Sequence, residues 1–180
     1  VFEMLNNGLK EIINPSAMFL SDRQKNISGT AIFAGLEGTR PILVEIQSLV
    51  SVANFNAPQR NVNGFDYKRL AMLLAVLEKR LGVQIGTKDV FVNLVGGLKV
   101  NDPAADLSVI SAVASSVNDQ LISDSVVLIG EVGLGGEVRS VSGLDTRINE
   151  SKSLGFKTII APSSNVKRLK DLPKSIEILR

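Results

Sequence analysis

Apolar positions recur along the chain at two periods, and the helical one is the clearer. Leu70, Leu73, Leu74, Leu77 and Leu81 fall on one face, which predicts a helix over residues 66–81. Asp66 stands in its first turn and Lys79 and Arg80 in its last, as the helix dipole favours, and Gly82 ends it. A second helix is predicted over residues 104–118, with Leu107, Ile110, Val113, Ala114 and Val117 on its apolar face, and a third over residues 144–154. Short β-rich runs lie between them. Residues 30–36 and 42–50 read as a hairpin joined by residues 37–41, and residues 89–95, 125–129, 157–161 and 176–179 read as further strands. Gly133 to Gly136 form a tight turn from which residues 137–141 return. A short basic helix with Lys167, Arg168 and Lys170 is expected before the last strand.

The first residues have their own signature. Residues 2–5 and 9–12 each begin and end on an apolar residue and flank Asn6-Asn7-Gly8, a hairpin pattern. Asn14-Pro15-Ser16 then suits the cap and first turn of a short helix running to Leu20. Residues 21–26 form a polar linker, and residues 54–64 a polar loop. Strands alternating with helices predict an α/β layered domain, and the two hairpins make its sheet mixed rather than purely parallel.

Composition narrows the chemistry more than the fold. A chain of 180 residues suits one compact domain plus a short appendage. With no Trp and one Tyr, Tyr67, the core must come from Val, Ile, Leu and Ala. The absence of cysteine excludes disulfides and thiolate metal sites and allows a reducing compartment. The absence of histidine removes the commonest general base, so neither a Ser-His-Asp nor a Cys-His mechanism fits within this chain. A net charge of +2 says little about partners. No apolar run reaches the length of a membrane span, and no signal-peptide layout opens the chain. Val1 is not a start residue, so the chain is expected to come from a longer parent.

Several motifs carry two readings each. Gly130 to Gly136 (GEVGLGG) invites a phosphate-loop reading, but it lacks the Lys-Ser/Thr ending and opens no helix; a hairpin turn fits better. Asp102, Asp106, Glu131 and Asp145 form either a carboxylate metal site or a scatter of surface acids. Lys167, Arg168, Lys170 and Lys174 suit nucleic-acid phosphates or a solvated helix face, and Arg60, Lys68 and Arg69 raise the same pair of readings.

Longer stretches go further. Residues 41–52 (PILVEIQSLVSV), Pro58-Gln59-Arg60, residues 64–79 (GFDYKRLAMLLAVLEK), residues 89–100 (DVFVNLVGGLKV) and residues 130–139 (GEVGLGGEVR) resemble the C-terminal, Lon-protease-like domain of the RadA/Sms family of bacterial recombination proteins. The resemblance implies a Lon proteolytic-domain-like fold (ribosomal protein S5 domain 2-like), a mixed sheet with packed helices. Residues 1–20 are similar to the end of that family's RecA-like ATPase domain. The implied division is residues 1–22 as the end of the ATPase domain, 23–27 as linker and 28–180 as the Lon-like domain. The implied parent has a zinc finger, a RecA-like motor and this domain. It acts as an ATP-dependent DNA translocase driving branch migration in recombinational repair in the cytoplasm. Its ATP, Mg and Zn belong to the other parts, since this chain has neither a Cys-pair finger nor a Walker A lysine loop; no cofactor is expected here.

Active Lon domains use a Ser–Lys dyad, in which a lysine takes the serine proton. By resemblance, the Asp-Gly-Pro-Ser-Ala-Gly type motif falls on residues 101–106 (NDPAAD) and puts Ala104 at the nucleophile's place. The Gly-Leu-Lys-Glu-Lys type motif falls on residues 143–147 (GLDTR) and puts Arg147 at the lysine's place. Arginine stays protonated and cannot act as the base. The dyad is therefore expected to be lost, with Arg147 approaching Asp106, or the backbone carbonyls near it, rather than Asp145. Ser108 with Lys99 is the other pairing to weigh. The expected role is a non-catalytic scaffold in a homo-hexameric ring, with non-specific contacts to single- and double-stranded DNA through Arg60, Lys68, Arg69, Lys167, Arg168 and Lys170. A residual Ser-dependent peptidase, or a docking module for another recombination protein such as a RecA-type recombinase, are the alternatives.

Overall fold

The computed structural model describes residues 2–6, 8–12, 14–53, 57–169 and 177–179. Strands β1 (Phe2–Leu5) and β2 (Gly8–Glu11) pair antiparallel as a separate hairpin, with Gly8 opposite Leu5, so the second strand begins one residue before its expected start. Helix α1 (Pro15–Leu20) follows, capped by Asn14, whose side chain accepts from the Ala17 N–H at 3.0 Å.

The central hairpin is β3 (Thr30–Glu37) and β4 (Arg40–Val52). Its strands run closer to the turn than the sequence suggests, because Glu37 pairs with Arg40 across a two-residue turn in which Gly38 takes φ +61°. Strand β5 (Arg60–Asn63) forms inside the stretch expected to be a polar loop. Its only apolar residue is Val62, and Asn61 and Asn63 are exposed, so the strand carries almost no hydrophobic signal. Helix α2 (Tyr67–Leu81) starts one residue late, since Asp66 is its cap: the carboxylate accepts from the Arg69 N–H at 2.8 Å. Gly82 closes it in the left-handed region, as expected.

Strand β6 (Lys88–Leu94) leads to a short 3-10 turn, and a second such turn (Pro103–Ala105) opens α3 (Asp106–Asn118). Then come β7 (Val126–Leu128), the small hairpin β8 (Glu131–Val132) and β9 (Val138–Arg139), helix α4 (Leu144–Ser153) and β10 (Thr158–Ile160). Helix α5 spans only Ser163–Val166, so Lys167 and Arg168 lie beyond it rather than on a basic helix; Val166 is its one buried anchor. Lys170 and Lys174 fall outside the described residues. Strand β11 (Glu177–Leu179) is the last.

Among the described residues seven strands make one sheet in the order β11-β10-β7-β3-β4-β6-β5. The pairs β11/β10, β10/β7, β7/β3 and β5/β6 are parallel, and β3/β4 and β4/β6 antiparallel. The sheet is thus mixed, as the hairpins imply. Central β3 is buried from Thr30 to Gly35 on both faces. Helix α3 packs on β3 and β4, α2 on α3, and α1 and α4 on β4. Leu70, Leu73 and Leu77 of α2 and Val109, Ala112 and Val113 of α3 are buried with Ile46 and Leu94 of the sheet. No helix among the described residues is long and apolar enough to cross a membrane.

The stretch expected to be a linker is anchored. Arg23 donates to the Asp124 carbonyl at 3.0 Å and its carboxylate at 3.1 Å, and lies 3.8 Å from the buried Glu45 carboxylate. Ser16 of α1 is fully buried; its hydroxyl accepts from the Leu43 N–H at 3.1 Å and donates to Glu150 of α4 at 2.7 Å. It occupies a β4 edge that β6, paired with β4 only from Ile46 onward, leaves open.

Candidate functional site

The segment Asp102-Pro103-Ala104-Ala105-Asp106 builds the start of α3. Asp102 is extended, and one carboxylate oxygen accepts from the Ala104 N–H at 3.0 Å. Pro103 then suits the first turn, where no N–H is needed. Ala104 and Ala105 are fully buried. The Ala104 carbonyl accepts from the Gly130 N–H at 2.9 Å, and the Gly130 carbonyl from the Leu107 N–H at 3.0 Å, which stitches the turn to the end of β7. Position 104 therefore presents a methyl group inside the core.

Arg147 projects from the first turn of α4 and is 1% exposed, the largest fully buried side chain among the described residues. Its guanidinium donates to the Ala34 carbonyl at 2.6 Å, the Ser142 carbonyl at 3.1 Å and the second oxygen of Asp102 at 2.6 Å. It also lies 5.7 Å from the Phe33 ring centroid, within cation–π range. Strand β3 pairs with β7 only through Ile32 and Phe33, so Ala34 lies just past the ladder's end, where the arginine takes up its carbonyl. Asp102 thus joins the two positions, capping the turn of Ala104 with one oxygen and holding Arg147 with the other. This corrects the expected partner: Arg147 pairs with Asp102, not Asp106. Asp145 is exposed, as its place on another side of α4 implies.

Asp106 is taken by α2. Its fully buried carboxylate accepts from Arg69 Nε at 2.6 Å, from a second nitrogen of the same guanidinium, and from the Val132 N–H at 2.9 Å. Burial pushes the Asp106 carboxyl above its ordinary range, and the bonds from Arg69 and the Val132 amide act against that shift. The hydrogen bond to Asp106 holds the Arg69 guanidinium above its ordinary value. Glu131 lies 3.8 Å from Arg69 and 3.9 Å from Arg139. Of the four acids weighed as a metal site, Asp106 and Glu131 meet at Arg69, Asp102 goes to Arg147 and Asp145 is exposed; no acid cluster able to hold a metal occurs among the described residues.

Ser108 is fully buried and donates to the Leu128 carbonyl at 2.7 Å. Lys99 is exposed on the wall of a cleft of about 350 Å³ between the β3–β4 hairpin and residues 98–102, with Asp102 at its end. The Gly130–Gly136 stretch is the β8–β9 turn, in which Gly136 takes φ +89° and the Gly133 N–H donates to the Glu137 carbonyl at 2.9 Å.

The cationic residues separate by use. Arg60 turns its guanidinium onto the Gln59, Lys88 and Ile85 carbonyls, and Arg69 is held by Asp106. Lys68, Lys167 and Arg168 are exposed. Asp102 and the Arg69–Asp106 pair escaped sequence reasoning as partners. An Asp-Pro step just ahead of the helix is a signal that could have marked Asp102 as a cap, but which arginine reaches which acid depends on how α2 and α4 lie over the start of α3.

Comparison with known proteins bears on this site. The family model described as Lon protease (S16) C-terminal proteolytic domain matches residues 81–178, just over half of the chain. The chain is similar to the DNA repair protein RadA of Halalkalibacterium halodurans, 44% identical over 179 residues, 99% of this chain and 39% of that protein. The same figures hold for DNA repair protein RadA of Bacillus subtilis. That of Synechocystis sp. is 46% identical over 162 residues, 90% of this chain and 32% of the relative. The chain spans about two fifths or less of these relatives.

Proposed function

Because the chain belongs to the family of Lon protease (S16) C-terminal proteolytic domains and is similar to DNA repair proteins, we propose that it is a non-catalytic Lon-like domain serving DNA repair as a ring-forming scaffold. The carrying observation is the Asp102 bridge between buried Ala104 and buried Arg147. A dyad needs a hydroxyl and an amine that can lose its proton; here a methyl and a permanent cation stand in their places. The Ser108 hydroxyl, donated to a backbone carbonyl inside the core, offers no replacement nucleophile.

On this reading the parent is a longer bacterial ATP-dependent DNA translocase working in the cytoplasm, with residues 1–22 ending its motor and residues 28–180 forming this domain. ATP and Mg go to the motor and Zn to a finger; without Cys or His this chain lacks the usual zinc donors. Six copies close head to tail. DNA is held without sequence preference through exposed Lys68, Lys167 and Arg168, with Lys170 beside them in sequence; Arg60 and Arg69 contribute only by leaving their present partners.

The test is incubation of the chain with casein and with a serine-directed fluorophosphonate. No cleavage and no labelling are expected. Turnover that Ser108→Ala abolishes would overturn the reading.

A further inference from the structure

We infer that residues 14–23 are a latch that leaves the domain as a unit without unfolding the sheet. Helix α1 sits on the stretch of β4 that β6 does not pair, since the β4–β6 ladder begins at Ile46. Polar groups fasten it at both ends. At the first end the buried Ser16 hydroxyl accepts from the Leu43 N–H at 3.1 Å and donates to Glu150 of α4 at 2.7 Å. At the last end a turn, closed by the Arg23 N–H on the Leu20 carbonyl at 3.3 Å, brings Arg23 inward. Its guanidinium donates there to the Asp124 carbonyl at 3.0 Å and carboxylate at 3.1 Å. The β1–β2 hairpin, a separate two-stranded sheet, precedes these residues, so the latch decides whether that hairpin is tied to β4.

Packing between the two fastenings is thin. In α1 only Pro15 and Ser16 are buried, whereas α2 buries five residues and α3 seven. Met18 is 40% exposed, and Phe19 and Leu20 are half-buried. Open spaces of about 540 and 480 Å³ flank the helix, the first beside Met18 and Phe19, the second beside Ala17 and Leu20. A helix of six residues is too short to persist alone, so lifting it also melts it. Arg23 adds a bias toward release. Its Nε is buried with no hydrogen-bond partner among the described residues, and Glu45 lies 3.8 Å away. Water satisfies that donor once the latch opens, which offsets part of the cost of the bonds lost. A segment held in this way opens below the free energy of global unfolding.

Two adjacent amides of β4 make the test direct. The Leu43 N–H rests on Ser16, while Val44 lies opposite Phe33 in the β3–β4 ladder. Amide hydrogen exchange of the chain is followed residue by residue by NMR and corrected for intrinsic rates. Leu43 is expected to be less protected than Val44 by at least about tenfold, as for a local opening. Arg23→Ala, which leaves the Ser16–Leu43 bond untouched, is expected to speed Leu43 exchange about tenfold or more, as for loss of charge-assisted bonds. Asp124→Asn, a milder cut at the same fastening, is expected to act in the same direction. Val113→Ala, in the core of α3, is expected to speed Val44 and leave Leu43 unchanged, because the open latch keeps that core intact. Equal protection of the two amides, both responding to Val113→Ala, would mean that α1 leaves only with the whole fold and overturns the inference. Leu43 exchange that neither Arg23→Ala nor Asp124→Asn moves also overturns it, since the two fastenings would not then act as one unit.

Discussion

Two guanidinium–carboxylate pairs flank the start of α3, and they are built in opposite ways. In Arg147–Asp102 the cation is buried, with 1% of its side chain exposed against 19% for the acid. In Arg69–Asp106 the acid is buried, at 0% against 28% for the cation. A buried charge is tolerable only with its partners in place. Each pair therefore has one member that cannot reach water and one that can. Arg147 serves three elements at once: β3 through Ala34, the entry to α4 through Ser142, and the α3 turn through Asp102. Asp106 serves two, α2 through Arg69 and β8 through Val132. Arg147, which the resemblance sets at a lysine's place, is the more heavily connected joint.

The largest loss should follow Arg147→Ala. It leaves a cavity and two carbonyls without their donor, and denaturant unfolding should show a cost of about 4 kcal/mol or failure to fold. Arg69→Ala should cost about 3 kcal/mol at neutral pH, because the buried Asp106 carboxyl keeps only the Val132 N–H as partner. This effect carries a pH signature. The folded Asp106 carboxyl already titrates above its ordinary range because of burial. Stability from such a group is present below the unfolded pKa and is lost as pH rises through the folded one. Removing Arg69 raises the folded value further, so the gap between variant and wild type should narrow on acidification. A gap that widens in acid would reverse the assignment. Arg147→Lys keeps the charge but not the fork; one ammonium cannot match the guanidinium's geometry at all three acceptors, and about 2 kcal/mol should be lost. Asp145→Ala, at an exposed position, should change stability by less than about 0.5 kcal/mol.

Much of this molecule was legible before any coordinates. The leucine spacing of α2, the Asn14-Pro15 helix start and the two long hairpin strands are local signals, and the helices and strands fall within a few residues of their predicted places. What failed was non-local. Strand β5 is polar in all but Val62 and becomes a strand only because β6 offers it an edge. Lys167 and Arg168 fall just past α5, which ends at Val166. Ala104 and Arg147 were singled out by resemblance alone, and the partner expected for Arg147 was Asp106, whereas it takes Asp102. Both acids stand near the start of α3, four residues apart in sequence, and only the packing of α2 decides that Asp106 faces Arg69.

The joint through Asp102 that ties Ala104 to Arg147, the two positions the resemblance assigns to a dyad, is tested most directly by a double-mutant cycle between Asp102 and Arg147. Asp102→Asn preserves the acceptor that caps Ala104, and Arg147→Met preserves much of the buried volume. Unfolding free energies of the two single variants and the double variant give the coupling. A coupling of about 2 kcal/mol or more is expected for a pair whose arginine is this deeply buried. A value below about 0.5 kcal/mol, typical of an exposed ion pair, would contradict the account.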